Sequence, residues 1–127
     1  MLDIEKQIVF WKDSAREDFA VARQLVDSGR PRHGLFFAHL ALEKSLKAIV
    51  CKHTQDLAPR LHNLVRLYEF AALPLSDTVK MEILAEMNAF NIEGRYPESL
   101  MKPPTKEEAL RYMTQAEGIF EWLMNQS

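Results

Sequence analysis

Apolar residues recur along this chain at steps of three and four, the spacing that puts them on one face of an α-helix. Ile4, Ile8, Trp11, Ala15, Phe19, Ala22 and Val26 trace such a stripe and predict a first helix from about residue 3 to about residue 28. Gly29 suits a left-handed stop, and Pro31 suits the first turn of the next helix, where its missing N–H is not needed. A second helix is expected over roughly 31–53. It is apolar on nearly every side, through Leu35, Phe36, Phe37, Ala38, Leu40, Ala41, Leu42, Leu46, Ala48, Ile49 and Val50, which marks a central element. Residues 54–60 read as a loop ending at Pro59.

Leu61, Leu64, Leu67 or Tyr68, and Ala71 predict a short third helix opened by His62, with Pro74 closing that region. Ser76 is the expected N-cap of a fourth helix, whose face is Val79, Ile83, Met87 and Phe90. Residues 91–104 hold Gly94, Pro97, Pro103 and Pro104 and read as the longest loop. Thr105 and Glu108 have capping-box spacing, and Ala109, Tyr112, Ala116, Ile119 and Leu123 then form a clean stripe. The sequence shows no strand-like alternation, repeat or low-complexity tract. The expected fold is all-α, an up-and-down bundle of four to five helices in one domain spanning residues 1–127.

Composition adds limits. With 127 residues, 47% apolar and 27% charged, the chain can build a core without disulfides or metals. The net charge of −2 gives no global attraction to nucleic acid or acidic membranes, although it leaves room for a local patch. The lone Cys51 fits a reduced, cytoplasmic setting. Asp3, Glu5, Lys6 and Lys12 interrupt the start, leaving no signal-peptide core. No apolar run approaches the ~20 residues of a membrane span. Because helix 2 carries more apolar faces than one small bundle covers comfortably, a homodimer is expected.

His39, Glu43 and Lys47 stand four apart on helix 2 and share a face. Asp18 falls within an equally good stripe of helix 1, where a carboxylate needs a partner. With His62 and, from the long loop, Arg95 and Tyr96, these residues make a candidate ligand-binding site between helices. The loop would fold back so that Arg95 meets Asp18 or Glu43. The plainer alternative leaves Glu43 and Lys47 as a solvated pair contributing ~0.2–0.5 kcal/mol, Asp18 facing water, and Tyr96-Pro97 as a packing plug. His33 and His53 lie near helix ends, exposed or capping. The chain lacks Cys/His metal spacing, a His-Glu-x-x-His pair, a glycine-rich phosphate loop and a serine nucleophile elbow. No metal and no cofactor is therefore expected.

Taken in order, several short marks resemble the HEPN family of small helical domains found beside minimal nucleotidyltransferases. They are Trp11, Ala15, Asp18, Ala22 and Leu25; Phe37 through Glu43-Lys44-x-Leu46-Lys47-Ala48; Pro59-x-x-His62-x-Leu64; Arg95-Tyr96-Pro97; and Trp122 in the closing helix. The resemblance covers about residues 8–124 and implies a dimerising bundle, often paired with a nucleotidyltransferase in toxin–antitoxin systems. Active ribonucleases of the family carry an Arg followed four to six residues later by His. Here Arg95 is followed by Tyr96, Pro97, Glu98, Ser99, Leu100 and Met101. The only formal match, Arg32 with His39, falls inside helix 2, where His39 stands in place of a Gln common in the family. The expected function is a non-enzymatic, dimeric nucleotide- or RNA-binding partner of a minimal nucleotidyltransferase. The alternatives are a metal-independent ribonuclease toxin, with Arg95 stabilising charge and His39 or His62 moving protons, and a dimeric scaffold without a ligand site.

Overall fold

A computed structural model of the chain describes residues 3–91 and 103–127. Its regular elements there are α1 (Ile4–Asp27), α2 (Pro31–Thr54), α3 (Leu64–Phe70), α4 (Thr78–Met87) followed by a 3₁₀ turn (Asn88–Phe90), and α5 (Lys106–Met124). No strand occurs among the described residues, so the all-helical expectation holds.

Local chemistry sets most boundaries. Asp3 caps α1 by accepting from the Lys6 amide. At its end, Ser28 N–H donates to Gln24 O, Arg30 N–H donates to Leu25 O, and Gly29 takes φ +86°, a conformation with no Cβ penalty for glycine. Pro31 then opens α2 as expected. Thr105 and Glu108 make the reciprocal capping box of α5.

Two starts differ from the sequence reading. α3 begins at Leu64 rather than near Leu61, because the Asn63 side chain accepts from the amides of Val65 and Arg66. Leu61 and His62 lie in the connection before it. α4 is capped by Asp77, not Ser76: its carboxylate accepts from Lys80 N and pairs with Lys80 Nζ. The buried side of that segment is consequently Leu84, Met87 and Phe90, and Val79, expected on the apolar face, is exposed.

α2 is the central helix. α1 packs along one side of it, α5 along another, and α3 with the 3₁₀ turn along a third. Ala15, Phe19, Ala22 and Val26 of α1 and Ala109, Ala116, Ile119 and Leu123 of α5 are buried against the α2 apolar residues. Phe19 and Phe120 stack with ring centroids 4.6 Å apart, an arrangement that contributes about 0.5–1.5 kcal/mol beyond burial. α1 and α2 approach closely at Gly34, where a Cβ would lie 2.9 Å from the Ala22 carbonyl oxygen. Leu35, Leu42, Leu46 and Val50 are fully enclosed, and Phe36, Phe37 and Leu40 are half-buried. The chain itself thus covers most of α2, so the crowded faces of that helix do not by themselves call for a second copy. The large apolar side chains left exposed are elsewhere, among them Val9 and Phe10 on α1 and Leu75 and Val79 around the start of α4. Among the described residues no helix is long and apolar enough to cross a membrane.

Candidate functional site

The four-residue spacing on α2 stacks His39, Glu43 and Lys47 along one side of the helix. That side meets the connection between α2 and α3, and all three residues are buried, with 0%, 4% and 6% of their surface exposed. The solvated-pair alternative for Glu43 and Lys47 is therefore overturned. A buried carboxylate is costly unless compensated, and Glu43 is compensated on several sides. Lys47 Nζ donates to Oε2 at 3.0 Å. His62 Nδ1 lies 3.2 Å from both carboxylate oxygens. His39 Nδ1 also stands 3.9 Å from Oε1 but makes no hydrogen bond to it. Lys47 Nζ also lies 5.2 Å from the centre of the Trp11 ring, a cation–π contact that brings α1 into the cluster. Beside it, Cys51 is fully enclosed and burial pushes its thiol pKa up, so it acts as a small apolar packing group.

His39 and His62 play opposite parts. His39 Nε2 donates to the His62 backbone oxygen at 3.1 Å, which leaves the lone pair on Nδ1, without a hydrogen-bond partner. Burial drives its pKa from 6.5 down to about 4, against the pull of Glu43, so this imidazole is neutral near pH 7. His62 instead has a side chain 54% exposed. With its Nδ1 edge turned to the carboxylate, the Nε2 edge is the one left for solvent. The loop beneath it is braced: Asn63 caps α3, Asn88 Nδ2 donates to Asn63 Oδ1, and Asn88 Oδ1 accepts from the Leu64 amide.

Asp18 belongs to a different cluster. Its Oδ2 pairs with Lys44 Nζ at 2.7 Å, and Lys44 also donates to Ser14 Oγ at 2.7 Å. The seam carboxylate is neither facing water nor part of the Glu43 group. Lys44 was missed by the sequence reading as a site residue, although Ser14 and Asp18 at i and i+4 both required a donor from the facing helix. Asn63 and Asn88 gave no such signal. Arg95 and Tyr96 lie outside the described residues, as does the expected meeting of Arg95 with Asp18 or Glu43. The structure thus brings together His39, Glu43, Lys47 and His62 of the seven candidates. Among the described residues no group of three His, Cys, Asp or Glu side chains is arranged to hold a metal ion. Two crevices, of about 260 Å³ beside Arg23 and Glu117 and about 440 Å³ beside Ile8 and Lys52, lie away from the cluster. Of the four residues only His62 is open to solvent; His39, Glu43 and Lys47 lie beneath it.

The sequence matches the family model of the HEPN domain over residues 8–126. The fold is similar to the crystal structure of TT1696 from Thermus thermophilus, with a TM-score of 0.78 at 21% identity, covering 95% of this chain and 98% of that one. It is also similar to the crystal structure of ST0689, an archaeal HEPN homologue, with a TM-score of 0.73 at 20% identity, covering 99% and 98%. No curated protein matches the sequence.

Proposed function

The chain belongs to the HEPN domain family, and from that premise we propose that it is a non-enzymatic, homodimeric binding partner of a minimal nucleotidyltransferase. The pair is of the toxin–antitoxin type and cytoplasmic, and the chain contacts nucleotide or RNA through the exposed ring of His62, which Glu43 and Lys47 hold from beneath. The observation that carries this reading is the exposed imidazole of His62 held on a buried carboxylate, with Lys47 beside it. A fixed, exposed imidazole of this kind can hydrogen-bond a phosphate group. Arg95 and Tyr96 enter on sequence alone, Arg95 as a bidentate phosphate partner. The absence of His at the family's spacing after Arg95, and the sealed, neutral state of His39, favour binding over cleavage.

The test is titration of the purified protein with adenosine monophosphate and with a short single-stranded RNA, read by tryptophan fluorescence and by calorimetry. Saturable binding is expected, weakened about tenfold in His62→Ala, an effect of the size of one charge-assisted hydrogen bond, with the RNA intact. Binding indifferent to His62→Ala would remove this edge from the reading. Light scattering and co-purification with the nucleotidyltransferase test the dimer and the partner.

The same geometry favours one rival, the metal-independent ribonuclease, with His62 rather than His39 moving the proton. A buried carboxylate fixing Nδ1–H leaves Nε2 free as a base. RNA cleavage that disappears in His62→Ala, in the absence of metal, would promote it.

A further inference from the structure

We propose that His62 is a phosphoryl-acceptor histidine, modified at Nε2 by small donors that carry an activated phosphorus, namely phosphoramidates and acyl phosphates. The inference concerns covalent chemistry of this side chain and holds whether or not the same edge binds a nucleotide.

Three observations carry it. The Nδ1 edge of His62 is occupied by the Glu43 carboxylate, with both oxygens at 3.2 Å. A donor there fixes the tautomer, placing the proton on Nδ1 and the lone pair on Nε2. The carboxylate is itself immobilised, being buried on α2 and held by Lys47 Nζ at 3.0 Å. The backbone that carries the imidazole is held in place, because the His62 backbone oxygen accepts from His39 and the next residue is tied to Asn88. A fixed lone pair at the surface beside a compensating anion is the arrangement that activates an imidazole as a nucleophile.

The other histidines lack it. His39 is enclosed and its Nε2–H is committed to a carbonyl. His33 and His53 are exposed, but among the described residues no carboxylate lies within ion-pair distance of either ring.

In the reaction the Nε2 lone pair attacks phosphorus and the N–P bond forms as the bond to the leaving group breaks. The leaving group departs with the electron pair, as ammonia from an N-protonated phosphoramidate or as a carboxylate from an acyl phosphate. The ring becomes cationic, and its Nδ1–H stays against Glu43, whose negative charge offsets the positive charge that develops. No oxidant, reductant or metal is required. Glu43 is a positioning residue here and touches no donor atom.

The experiment is a competition within one chain. The intact protein is incubated with potassium phosphoramidate near neutral pH, without nucleotide or RNA. Phosphorylation of each histidine is followed by peptide mass spectrometry, and the modified nitrogen is assigned by ¹⁵N–³¹P coupling. His62 is expected to react about tenfold faster than His33 and His53, an effect of the size of one charge-assisted hydrogen bond, with phosphorus on Nε2 and His39 unmodified. Equal rates at the three exposed histidines, or a product on Nδ1 of His62, would overturn the assignment. Glu43→Gln, if folded by circular dichroism, is expected to reduce His62 to the rate of His33; an undiminished advantage would remove Glu43 from the mechanism. Should that variant not fold, the competition in the natural chain decides alone.

Discussion

Two carboxylate–lysine pairs lie in succession along the contact of α1 with α2, and they are built for different ends. Asp18 and Lys44 reach across from one helix to the other, with side chains 13% and 23% exposed, and recruit only Ser14. Glu43 and Lys47 lie on one helix, more deeply buried, and gather a histidine from the same helix, a second from the next connection, and an indole from α1. The first is a clasp: its opposite charges neutralise one another across the two helices. The second has more polar groups than internal stability requires, and it ends in an exposed imidazole. Net stability is a weak reason to bury ions, so the group with excess polarity and an open end is the one to associate with function.

That contrast breaks most visibly at Glu43. Glu43→Ala leaves the Lys47 ammonium buried without its partner, and a loss of roughly 3–5 kcal/mol is expected. Urea denaturation followed by circular dichroism measures it. A loss near 1 kcal/mol would mean that water reaches Lys47 and that the two clusters differ little in kind.

Much of this fold is legible in the amino-acid sequence. The stripes of α1 and α5, the stop at Gly29 and the box at Thr105 and Glu108 all depend on interactions within one or two turns, which sequence spacing encodes directly. The misplaced starts of α3 and α4 show the limit. Asn63 and Asp77 do the capping, but Ser76 is as good a capping residue, and choosing between neighbours needs the path of the preceding connection. The site was harder. That His39, Glu43 and Lys47 share a face follows from their spacing. Their depth does not, because the connection carrying Ala58 to Asn63 folds against α2 through contacts about twenty residues apart in sequence. Lys44 counts in the sequence only as part of the family resemblance and not as a partner of Asp18, because adjacent helical residues face different neighbours, and only the position of α1 shows which carboxylate each lysine serves.

A second, somewhat smaller effect separates the clusters by pH. His39 is buried and its pKa is lowered from 6.5 to about 4. The unfolded chain therefore takes up this proton first as pH falls. The contribution of the neutral ring is complete above pH 6.5 and is lost progressively down to about pH 4. A shift of this size corresponds to about 3 kcal/mol. Relative to His39→Gln, the natural chain is expected to lose that much stability across the window, as measured by thermal melts at matched ionic strength. Parallel pH profiles for the two proteins would show that His39 is not sealed. The same comparison between the natural chain and Asp18→Asn is expected to show no such window near pH 6, since no histidine contacts that pair.

The clasp itself is worth less. Asp18→Ala is expected to cost about 1–2 kcal/mol, between the surface and buried limits, because both partners keep some solvent. Melting curves in low and high salt check this, and added salt should shrink the difference.

The smallest expected quantity is the most discriminating one: the coupling between Asp18 and Glu43. The sequence alone suggested that these carboxylates converge on one groove, whereas in the structure they have no partner in common. Asp18 uses Lys44, and Glu43 uses Lys47 and His62. Groups in one network typically couple by 0.5–3 kcal/mol, and independent ones add to within about 0.5 kcal/mol. The double variant Asp18→Ala/Glu43→Ala should therefore lose the sum of the two single losses within that margin. The control is the Asp18→Ala/Lys44→Ala cycle, where a shared ion pair should give a clear coupling of about 1 kcal/mol. If Asp18 and Glu43 couple as strongly as Asp18 and Lys44, the two clusters are one. A ligand held at His62 would then be sensed at the α1–α2 clasp, and the division between a structural pair and a functional group would have to be abandoned.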